Sequence, residues 1–576
     1  MPEGLEALLP PVRERAWWRQ VVLIFASLSF ALSLAALSVA APKATLVESL
    51  YLSVQLLILH MPHDYPPSAG QGVLFFFLFQ AAKFFAVMAW AAFGVLVVTS
   101  LFSKHQRLRS TVQKGNHTII CGLGGAGLEL AVDARRIGER VVVIDPELSA
   151  AGIRAEESGA SLIAGSPADP QLLQKAGVGS ANFLLAATED DSANIAAVVR
   201  ARLAVPGKPL RPFVHIADPQ LRVQLRRQRT FRSDGPASAT IFNVFDNSAR
   251  LLLRDSPLDH VHIRPESQQV VQLIVIGFGR MGEAVLTRAA LTGHYANLKR
   301  LQAVVVDRQA DRKERLFRNR YPHFADVADT RFIQADAEDP AAQAQIAALC
   351  TSSANTISTI VIAFDAPLRG LSIALSLLDA MPSYAPIRLR LNDDSGLAAL
   401  LPSGQITAFG SIRDACKRKS WLDSELDRMA KKLHEDYLAK LPEAERSRRE
   451  KRSSYPWGQL DDDLVDSNRQ AADHIPVKLR AVGCHTAARG NQDDPGVPMD
   501  RFEGGEFELL AKMEHRRWMA ERFLAGWTLG PKDVERRLSP YLVEWEDLPP
   551  NIQDYDRNSV RIIPGVLHSV NLEIRR

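Results

Sequence analysis

Two long apolar segments near the N-terminus constrain this chain more than any other feature. Residues 21–41 read VVLIFASLSFALSLAALSVAA and contain no charged residue. Residues 73–101 form a second apolar segment, whose body is interrupted only by Gln80 and Lys83. A helix needs about 20 mainly apolar residues to cross the hydrocarbon core of a bilayer. The sequence therefore predicts two transmembrane helices, followed by a region with the composition of a soluble protein.

The positive charges around these segments predict the orientation of the chain. The segment between the two spans carries a single fixed positive charge, Lys43, whereas basic residues cluster outside them. They are Arg13, Arg15 and Arg19 before the first span, and Lys104, Arg107, Arg109 and Lys114 after the second. By the positive-inside rule, we expect a multi-pass protein of the cell inner or plasma membrane with both termini in the cytoplasm.

The alternative for the first segment is a secretory signal peptide, because SVAAPKA resembles a cleavage site with small residues. The cores of signal peptides are about 7–15 residues long, shorter than this uncharged run. A second apolar segment also follows it directly. We therefore interpret the pair as a membrane hairpin.

The segment between the two spans has the layout of a re-entrant pore element. Residues 47–59 predict a short amphipathic helix, which the following MPHDYPP interrupts. The stretch ESLYLSVQLL resembles the pore helix of potassium channels. Where that family has a glycine-rich filter of the TVGYGD type, this chain reads LHMPHDYPP. The resemblance therefore does not extend to the ring of carbonyl groups that selects potassium.

Five residues are candidates for the pore. His60, His63 and Asp64 supply polar groups at the predicted mouth, although a solvated loop would contain the same residues. Lys83 lies well inside the second span, where an ionisable group is costly and by default functional. We expect it to line the pore or to pair with Glu48 or Asp64. Gly94 is a candidate hinge, and close helix packing explains it equally well.

A dinucleotide-binding fingerprint follows the membrane segments. A short apolar strand at 118–121 leads into Gly122, Gly124 and Gly127, then a helix, a second strand and Asp145. Strand, GxGxxG, helix, strand and acid occur within about thirty residues, which is the context that a Rossmann fold requires. The glycines permit a close approach to phosphate, the helix N-terminus faces the anion, and the acid is placed for ribose hydroxyls.

The fingerprint occurs a second time. Gly277, Gly279 and Gly282 follow the strand 271–276, and Asp307 ends the next strand. Similarity continues beyond the glycines, since SLIAGSPADPQLLQKAG from Ser161 matches RFIQADAEDPAAQAQIA from Arg331. The chain therefore contains a duplicated doubly wound α/β unit.

The first copy resembles the regulators of potassium conductance, known as RCK or TrkA-N domains. The stretch AGVGSANFLLAATEDDSANIAAVVRAR is close to a characteristic segment of that family, and the second copy is similar more loosely. The resemblance implies an adenine nucleotide or an NAD(H)-type ligand. It places these residues in the ligand pocket: Gly122, Gly124, Gly127, Asp145, Asp191 and Asn194.

The two copies depart from the family pattern in different ways. After the third strand of the first copy, Gly165 is followed by Ser166 where the family usually has an aspartate. The second copy keeps the acid as Asp336 but has Ala335 in place of the glycine. The copies therefore bind different ligands, or only one binds, and a scaffold that has lost its ligand is the alternative for each.

An NAD-dependent oxidoreductase is the competing class for a chain with this fingerprint. Such an enzyme needs a substrate domain with a proton donor. No catalytic constellation stands out near either copy, and an enzyme would leave the membrane hairpin unexplained. We therefore assign no catalytic residue and expect a protein that is not an enzyme.

The C-terminal region contains a second duplication. MAKKLHEDYLAKL from Met429 resembles LAKMEHRRWMAER from Leu510, and WGQLDDDLVDSNRQAADHIPVKL from Trp457 matches WEDLPPNIQDYDRNSVRIIPGVL from Trp545 without gaps. The second unit closely resembles the RyR repeat, named after ryanodine receptors, and the first does so more loosely. The resemblance implies an accessory module with a nucleotide-type ligand. The candidate pocket residues are His515, Trp518, Trp527 and Asp556, which would otherwise be core and helix-stapling residues.

The remaining composition excludes several classes. The four cysteines (Cys121, Cys350, Cys416 and Cys484) form no CxxC pair, which argues against a disulfide framework and a structural metal site. Lysines and arginines do not gather on one basic face with interleaved aromatics, so nucleic acid is not an expected partner.

These observations predict an α/β multidomain membrane protein. It would have two transmembrane helices with a re-entrant pore helix, two Rossmann-like doubly wound parallel sheets and C-terminal α-helical RyR-type repeats. The predicted boundaries are a cytoplasmic tail at 1–16, the pore module at 17–103 with its re-entrant segment at 47–64, a linker at 104–115, Rossmann domains at 116–258 and 266–418, and repeats at 420–482 and 505–576.

The predicted function is that of a ligand-gated channel for monovalent cations, regulated by nucleotide binding. A homotetramer is expected, because two spans and one re-entrant segment cannot enclose a pore alone and cyclic symmetry supplies the missing walls. The alternative is a membrane-anchored nucleotide sensor, or a regulatory subunit of ion transport, without a pore of its own.

Overall fold

The structure is a computed structural model of the chain, and it forms two compact units, Met1–Lys114 and Gly115–Arg576. The structure describes residues 12–40, 45–60, 73–146, 149–206, 210–227, 231, 239–351, 355–381, 385–391, 396–401, 404–416, 425–443 and 452–576.

The described residues of the first unit form three helices, α1 (Val12–Ala40), α2 (Leu46–Leu57) and α3 (Val73–Lys114). The stretches Arg19–Val39 and Val73–Val98 are long and apolar enough to cross a membrane, which agrees with the two predicted spans. The predicted linker 104–115 is helical as far as Lys114, because α3 continues through it without interruption.

Small residues bring α1 and α3 close together. The Ser29 hydroxyl donates to the Ala82 carbonyl oxygen at 2.9 Å, and Ala36 and Ala86 are fully buried. Small side chains of this kind let helix backbones approach each other where water supplies no driving force. Large side chains such as Phe77 and Phe84 are more than half exposed on the outside of the unit, as contact with lipid requires.

Helix α2 covers most of the helix predicted at residues 47–59, and its role as a re-entrant pore helix stays a prediction. Thr45 caps its N-terminus: the Thr45 hydroxyl accepts from the Glu48 N–H, and the Glu48 carboxylate accepts from the Thr45 N–H. This reciprocal capping box satisfies two otherwise unpaired donors of the first turn. Trp90 Nε1 donates to the Leu57 carbonyl oxygen at 2.9 Å and ties the end of α2 to α3.

The second unit begins with a parallel six-stranded sheet in the order β3-β2-β1-β4-β5-β6, the doubly wound order of a Rossmann fold. The strands β1 and β2 are short and wholly buried, because helices cover both faces of a parallel sheet of this kind. The strands are β1 (Thr118–Cys121), β2 (Val141–Asp145), β3 (Ser161–Ala164), β4 (Phe183–Ala186), β5 (Arg211–His215) and β6 (Thr240–Phe242). The helices are α4 (Gly125–Arg136), α5 (Ala150–Glu157), α6 (Pro170–Lys175), α7 (Asp191–Ala204), α8 (Pro219–Arg227) and α9 (Val244–Asp255).

A second parallel sheet repeats this topology in the order β9-β8-β7-β10-β11-β12. Ile274 pairs with Val304 on one side and Ile360 on the other, as Ile120 pairs with Val143 and Leu185 in the first sheet. The strands are β7 (Val270–Ile276), β8 (Leu301–Asp307), β9 (Ala328–Gln334), β10 (Thr356–Ile362), β11 (Ile387–Arg390) and β12 (Ile406–Phe409). The helices are α10 (Arg280–Thr292), α11 (Ala310–Arg320), α12 (Pro340–Thr351), α13 (Pro367–Ala380) and α14 (Ile412–Cys416).

The two copies exchange elements at their boundary. Helix α14 was assigned by sequence to the second domain, 266–418, but its Ala415 and Cys416 lie in the hydrophobic core of the first copy. Conversely, α9 belongs by sequence to the first domain, 116–258, and its Ala249 and Leu252 lie in the core of the second copy. Each of these two helices therefore contributes to the core of the other copy.

The C-terminal region contains two helical repeats with the same order of elements. The first consists of α15 (Glu425–Lys440), a 3-10 turn at Trp457–Gln459, α16 (Asp462–Asp473) and α17 (Ile475–Ala481). The second consists of α18 (Gly504–Leu524), a 3-10 turn at Trp545–Asp547, α19 (Pro550–Arg561) and α20 (Ile563–His568). Five short strands accompany them: β13 (His485–Ala488), β14 (Pro498–Met499), β15 (Thr528–Leu529), β16 (Leu538–Ser539) and β17 (Leu572–Arg575).

Each of the two repeats contains an equivalent ion pair between its helices. Arg469 makes a bidentate ion pair with Asp427 in the first repeat, at 2.9 and 2.6 Å, and Arg557 does the same with Glu508 in the second, at 2.8 and 3.0 Å. Such fork-shaped pairs fix the orientation of two helices as well as their distance. One continuous hydrophobic core runs from the second Rossmann copy through both repeats, so these parts form one packed body.

Candidate functional site

The first fingerprint loop joins β1 to α4 and has the geometry of a phosphate-binding turn. Gly122 has φ +92°, in the left-handed region that favours glycine. A Cβ atom at Gly127 would lie 1.9 Å from the Gly122 carbonyl oxygen, so only glycine lets α4 start this close to the strand. Gly124 caps the helix, and the nearest atom to a Cβ there is the flexible side chain of Glu189, at 3.3 Å.

Asp145 supports this loop from the end of β2. Its Oδ2 accepts a hydrogen bond from the backbone N–H of Leu123 at 2.6 Å, and the residue is only 8% exposed. The carboxylate therefore holds the turn between the first two glycines in place. This is the position at the end of the second strand where a Rossmann acid receives ribose hydroxyls.

Asp191 and Asn194 hold the neighbouring loops of the first copy. The Asp191 carboxylate accepts from the N–H groups of Ala217 and Asp218 at 2.8 and 2.9 Å. Asn194 is fully buried; its Oδ1 accepts from the Thr188 N–H at 2.8 Å, and its Nδ2 donates to the His215 carbonyl oxygen. The structure thus places both residues beside the predicted crevice, where their side chains organise the backbone that surrounds it.

The second fingerprint has the same geometry. Gly277 has φ +88°, and a Cβ at Gly282 would lie 2.3 Å from the Gly277 carbonyl oxygen. Asp307 Oδ2 accepts from the Phe278 N–H at 2.8 Å, as Asp145 does from Leu123. Gly279 caps α10, and a Cβ there would meet no described atom within 4 Å, so the approach to the helix N-terminus is open.

A cavity of about 300 Å³ lies at the carboxyl ends of the strands in this second copy. Ligands of doubly wound folds bind in this crevice, where the strand order reverses. The cavity has both backbone and charged walls. Its lining includes Gly277, Gly279, Asp307, Arg308, Gln309, Lys313, Ala335, Phe364, Asp365 and Arg369.

Ion pairs fix the charged walls of this cavity. Lys313 Nζ lies 2.7 Å from Asp307 Oδ2, and the Gln309 N–H donates to Oδ1 at 2.8 Å. Burial opposes ionisation of Asp307, but the Lys313 ammonium and the Gln309 and Phe278 N–H groups outweigh it and hold the pKa of Asp307 below its ordinary value. Asp307 is therefore a fixed anion with a cation at its side.

Arg308 and Arg369 complete the charged wall of this cavity. Neither residue was identified from the sequence. Arg308 Nε donates to Asp336 at 2.8 Å; Arg369 Nε donates to Glu338 at 2.6 Å, and its guanidinium lies 4.6 Å from the centre of the Phe364 ring. Arg308 directly follows the fingerprint acid, so its position was visible in the sequence. Arg369 is distant in the chain and reaches the site only through the fold. Both give the crevice donors for an anionic ligand.

The predicted RyR-type pocket residues lie together. Both ring nitrogens of His515 and one carboxylate oxygen of Asp556 contact other groups of the protein. His515 is 2% exposed; its Nε2 lies 2.8 Å from the Val543 carbonyl oxygen and its Nδ1 lies 3.3 Å from Asp556. Its ring stacks on Trp518, and the Arg522 guanidinium lies over both Trp518 and Trp527. His515 thus staples α18 to the following loop and to α19.

The first repeat contains the same histidine staple. His434 Nε2 lies 2.7 Å from the Tyr455 carbonyl oxygen, and its ring lies near Tyr437 and Trp457, as that of His515 lies near Trp518 and Trp545. Because this histidine contact occurs in both repeats, it indicates a structural role for His434 and His515. The roles of His515 and Asp556 in ligand binding remain predictions.

The candidate pore residues are only partly within the described chain. His60 is exposed after the end of α2, whereas His63 and Asp64 lie outside the described residues. Lys83 is half-buried on α3, with Nζ 4.5 Å from the centre of the Phe79 ring. A Cβ at Gly94 would meet no described atom within 4 Å, so close packing within this subunit does not require glycine there.

The geometry of the two fingerprint loops is suited to binding an anion. Within the described ranges, no group of three or more His, Cys, Asp or Glu side chains is placed to hold a metal ion. The two fingerprint loops instead present helix N-termini, which bind anions such as phosphate.

Comparisons with known proteins identify two of these regions. Residues 118–228 match the model of the TrkA-N domain, and residues 505–576 match the model of the RyR domain. The chain therefore contains a TrkA-N domain of Rossmann-like fold and a C-terminal RyR domain. A search of curated protein sequences gave no match.

Similar solved structures include channel proteins. The structure described as GsuK bound to ADP is 15% identical, covers 73% of this chain and 99% of that chain, and gives a TM-score of 0.38. The GsuK channel is 14% identical and covers 70% and 96%, with a TM-score of 0.39. The GsuK channel bound to NAD is 13% identical and covers 74% and 86%, with a TM-score of 0.37.

Proposed function

We propose that this protein is a ligand-gated channel for monovalent cations, controlled by nucleotide binding to its Rossmann-like copies. One observation carries the proposal: a single chain joins two helices able to cross a membrane to two glycine fingerprint loops, each of which begins a helix. Helix α3 ends at Lys114 and β1 begins at Thr118, so three residues connect the second apolar helix to the first sheet.

The ligand in this proposal is an adenine nucleotide or an NAD(H)-type molecule. The first copy offers Gly124 at the N-terminus of α4 for a phosphate and Asp145 at the end of β2 for a ribose. The second copy adds the cations Arg308, Lys313 and Arg369 around its crevice. The two copies therefore offer different surroundings to a nucleotide.

Gating in this proposal is a shift between two arrangements of the cytoplasmic part. A nucleotide that binds one arrangement more tightly increases its population. The short connection after Lys114 would transmit that change to α3. A homotetramer in the cell inner or plasma membrane, with both termini in the cytoplasm, would supply the walls of the pore.

A membrane-anchored nucleotide sensor without its own pore is the second candidate. The sequence LHMPHDYPP after α2 favours it, because a glycine-rich filter is missing from that position. In this case the apolar hairpin is an anchor or a dimerisation element. Both candidates share nucleotide binding and differ only in conduction.

Two measurements test the proposal. Purified protein in a planar bilayer should give discrete current steps that respond to a panel of adenine nucleotides and NAD(H). Silence under every nucleotide, together with intact nucleotide binding, would support the sensor.

Nucleotide binding is tested by thermal stabilisation of Gly124→Val. The branched side chain should block the approach of phosphate to the α4 N-terminus and abolish stabilisation through the first copy. Gly458→Val is the control outside the Rossmann copies, at a position where a Cβ meets no described atom within 4 Å. An equal response of the Gly124 variant and the parent would show that the pocket assignment is wrong.

A further inference from the structure

We propose that a second cavity, lined by none of the fingerprint glycines, binds a small organic anion with an apolar body. This junction cavity has a volume of about 450 Å³, within the range of small-molecule sites. Three parts of the chain form it: the segment 257–263 after α9, the loop after α10, and α17 with the residues that follow it. Its lining includes Asp259, His260, Val261, His262, Tyr295 and Arg480.

Tyr295 supplies a polar group that the protein itself does not use. The residue is 4% exposed and lines the junction cavity, and its hydroxyl has no hydrogen-bond partner among the described residues. Burial raises the pKa of Tyr295 well above its ordinary value, so the hydroxyl stays protonated and can donate. The hydroxyl lies at the cavity wall and is available to donate to a ligand oxygen.

Arg480 supplies a second donor in a fixed orientation. Its Nε and Nη2 each donate to one oxygen of Asp259 at 2.8 Å, and Asp259 is 8% exposed. Nη1 makes no hydrogen bond to any described residue, and the Arg480 side chain is 30% exposed. The ion pair therefore holds the guanidinium rigidly while leaving one nitrogen for a ligand, an arrangement suited to a carboxylate or a phosphate.

The groups beside Arg480 leave its free nitrogen as a donor for a ligand. His262 Nδ1 lies 3.0 Å from the Arg480 carbonyl oxygen. Burial lowers the pKa of His260, and the charge of Arg388 lowers it further. Asp259 is a carboxylate of the cavity lining, and its two oxygens accept from Nε and Nη2 of Arg480. An anionic group of a ligand would accept from Nη1 and from the Tyr295 hydroxyl.

Apolar side chains make up most of the remaining wall and set the shape of the ligand. A ligand that buries an aromatic or aliphatic body against them gains from the hydrophobic effect. They are Val261, Ile263, Ala296, Val477 and Ala481. Val261 is 45% exposed. The inferred ligand is therefore a compact carboxylate or phosphate monoester with an apolar body, and this inference does not depend on the proposed channel function.

Benzoate and phenyl phosphate are suitable probes, with benzyl alcohol as their neutral counterpart. The full-length protein in detergent would be titrated with each probe and binding followed by calorimetry. A ligand of this size should bind with a Kd of about 1 mM. At least one anion should bind saturably, and benzyl alcohol should bind about tenfold more weakly. The preferred anion would distinguish a carboxylate ligand from a phosphate ligand.

Two variants locate the binding. Tyr295→Phe keeps the buried ring, removes the hydroxyl, and should weaken anion binding about fivefold. Val261→Trp should obstruct the cavity and abolish binding. Tyr321→Phe, in the second Rossmann copy, and Val497→Trp, at an exposed position outside the cavity lining, are the matched controls and should bind as the parent does.

Three outcomes would overturn the proposal. The first is saturable binding that both cavity variants leave unchanged, which would place the anion elsewhere. The second is no saturable binding of either anion up to about 20 mM. The third is benzyl alcohol binding as tightly as the anions, which would contradict the role of Arg480.

Discussion

The Arg250 guanidinium donates to both carboxylate oxygens of Asp473, at 2.7 and 2.8 Å, and so joins α9 to the end of α16. Both side chains are nearly buried, at 7% and 10% exposure. Arg250 also lies 3.5 Å from Asp427, and Arg288 of the second copy lies 3.8 Å from Asp473. This network connects the first Rossmann copy, the second copy and the first repeat through charges that water barely screens.

We expect Arg250→Met to destabilise the Gly115–Arg576 unit strongly. Removing one partner of a buried ion pair leaves the other charge unpaired, which typically costs about 3–5 kcal/mol. The midpoint of thermal or denaturant unfolding should therefore fall clearly. Arg254→Met is the control on the same helix: Arg254 pairs with Asp255 at 42% and 61% exposure, and exposed pairs contribute at most about 1 kcal/mol. Equal effects of the two substitutions would show that the network does not stabilise the unit.

Two glycines of the second fingerprint should respond differently to alanine. Gly279→Ala adds a methyl group where no described atom lies within 4 Å, so the unfolding midpoint should change little while nucleotide binding to this copy weakens. Gly282→Ala places a Cβ 2.3 Å from the Gly277 carbonyl oxygen and should destabilise the fold by several kcal/mol, roughly as overpacking does. Thermal unfolding with and without nucleotide separates these outcomes. Unaltered nucleotide binding in Gly279→Ala would contradict a site at this loop.

Much of this fold could be predicted because it depends on local sequence. The wholly buried strands and the glycine turns are fixed within about thirty residues, and Asp145 and Asp307 occupy the strand ends that the fingerprint gives them. The exchange of α9 and α14 could not be predicted in the same way. Ala415 and Cys416 pack against the first copy because of tertiary contacts with helices far away in the chain, which periodicity does not encode.

The sites were predicted less completely, for related reasons. The sequence did not reveal that the polar atoms of Asp191 and Asn194 bind backbone groups, and the place of these residues in a ligand pocket stays a prediction. Arg369 and Tyr295 have no motif around them, and only the fold brings them to cavity walls. A sequence motif reveals site residues that lie close together in the chain. It does not reveal residues that only the folded structure brings to the site.

Acid should destabilise the protein through buried neutral histidines. Burial is the main cause that lowers the pKa of His215 to about 4 and of His294 to about 3, and the pKa of His474 also lies well below its ordinary value. In the unfolded chain these groups bind protons near pH 6.5. Below that pH the unfolded state takes up protons that the folded state excludes, so stability falls as pH drops from about 6.5 towards 4.

For His215 alone the loss would reach about 3 kcal/mol, from a shift of 6.5 to about 4. The unfolding midpoint should be flat between about pH 7 and 8 and should fall between about pH 6.5 and 5. His215→Asn cannot take up a proton and should fall less steeply than the parent over this window. The exposed His60 gives the control, because His60→Asn should follow the parent. Parallel curves for parent and His215→Asn would contradict the assignment.

Strong potassium selectivity should be absent if the protein conducts. Carbonyl rings that replace the hydration shell of potassium require a glycine-rich filter, and LHMPHDYPP offers none after α2. Reversal potentials in mixed potassium and sodium gradients measure this directly. A strongly potassium-selective current would show that this segment forms a filter of another kind.

Lys83 should serve the assembled pore, because a lysine facing lipid near the bilayer centre costs about 2.5–3.5 kcal/mol on insertion scales. Within one subunit its ammonium lies over the Phe79 ring, 4.5 Å from the ring centre. Pairing with Glu48 was one expectation, but the Glu48 carboxylate accepts from Thr45 N and Oγ1, each at 3.0 Å, and so closes the capping box of α2. Glu48 of the same subunit therefore does not neutralise the Lys83 ammonium group. We expect this group to face the oligomer axis or a neighbouring subunit.

Lys83→Met distinguishes these two locations. If the ammonium groups ring the axis, they repel cations, and the substitution should shift ion preference towards cations in reversal-potential measurements. If Lys83 instead contacts a neighbouring subunit, the substitution should weaken the oligomer, which size-exclusion chromatography with light scattering in detergent would detect. Gln80→Met, three residues earlier on the same helix, removes a polar group without removing a charge and should change neither property. Unchanged ion preference and an unchanged oligomer in Lys83→Met would contradict any role of this lysine in the pore.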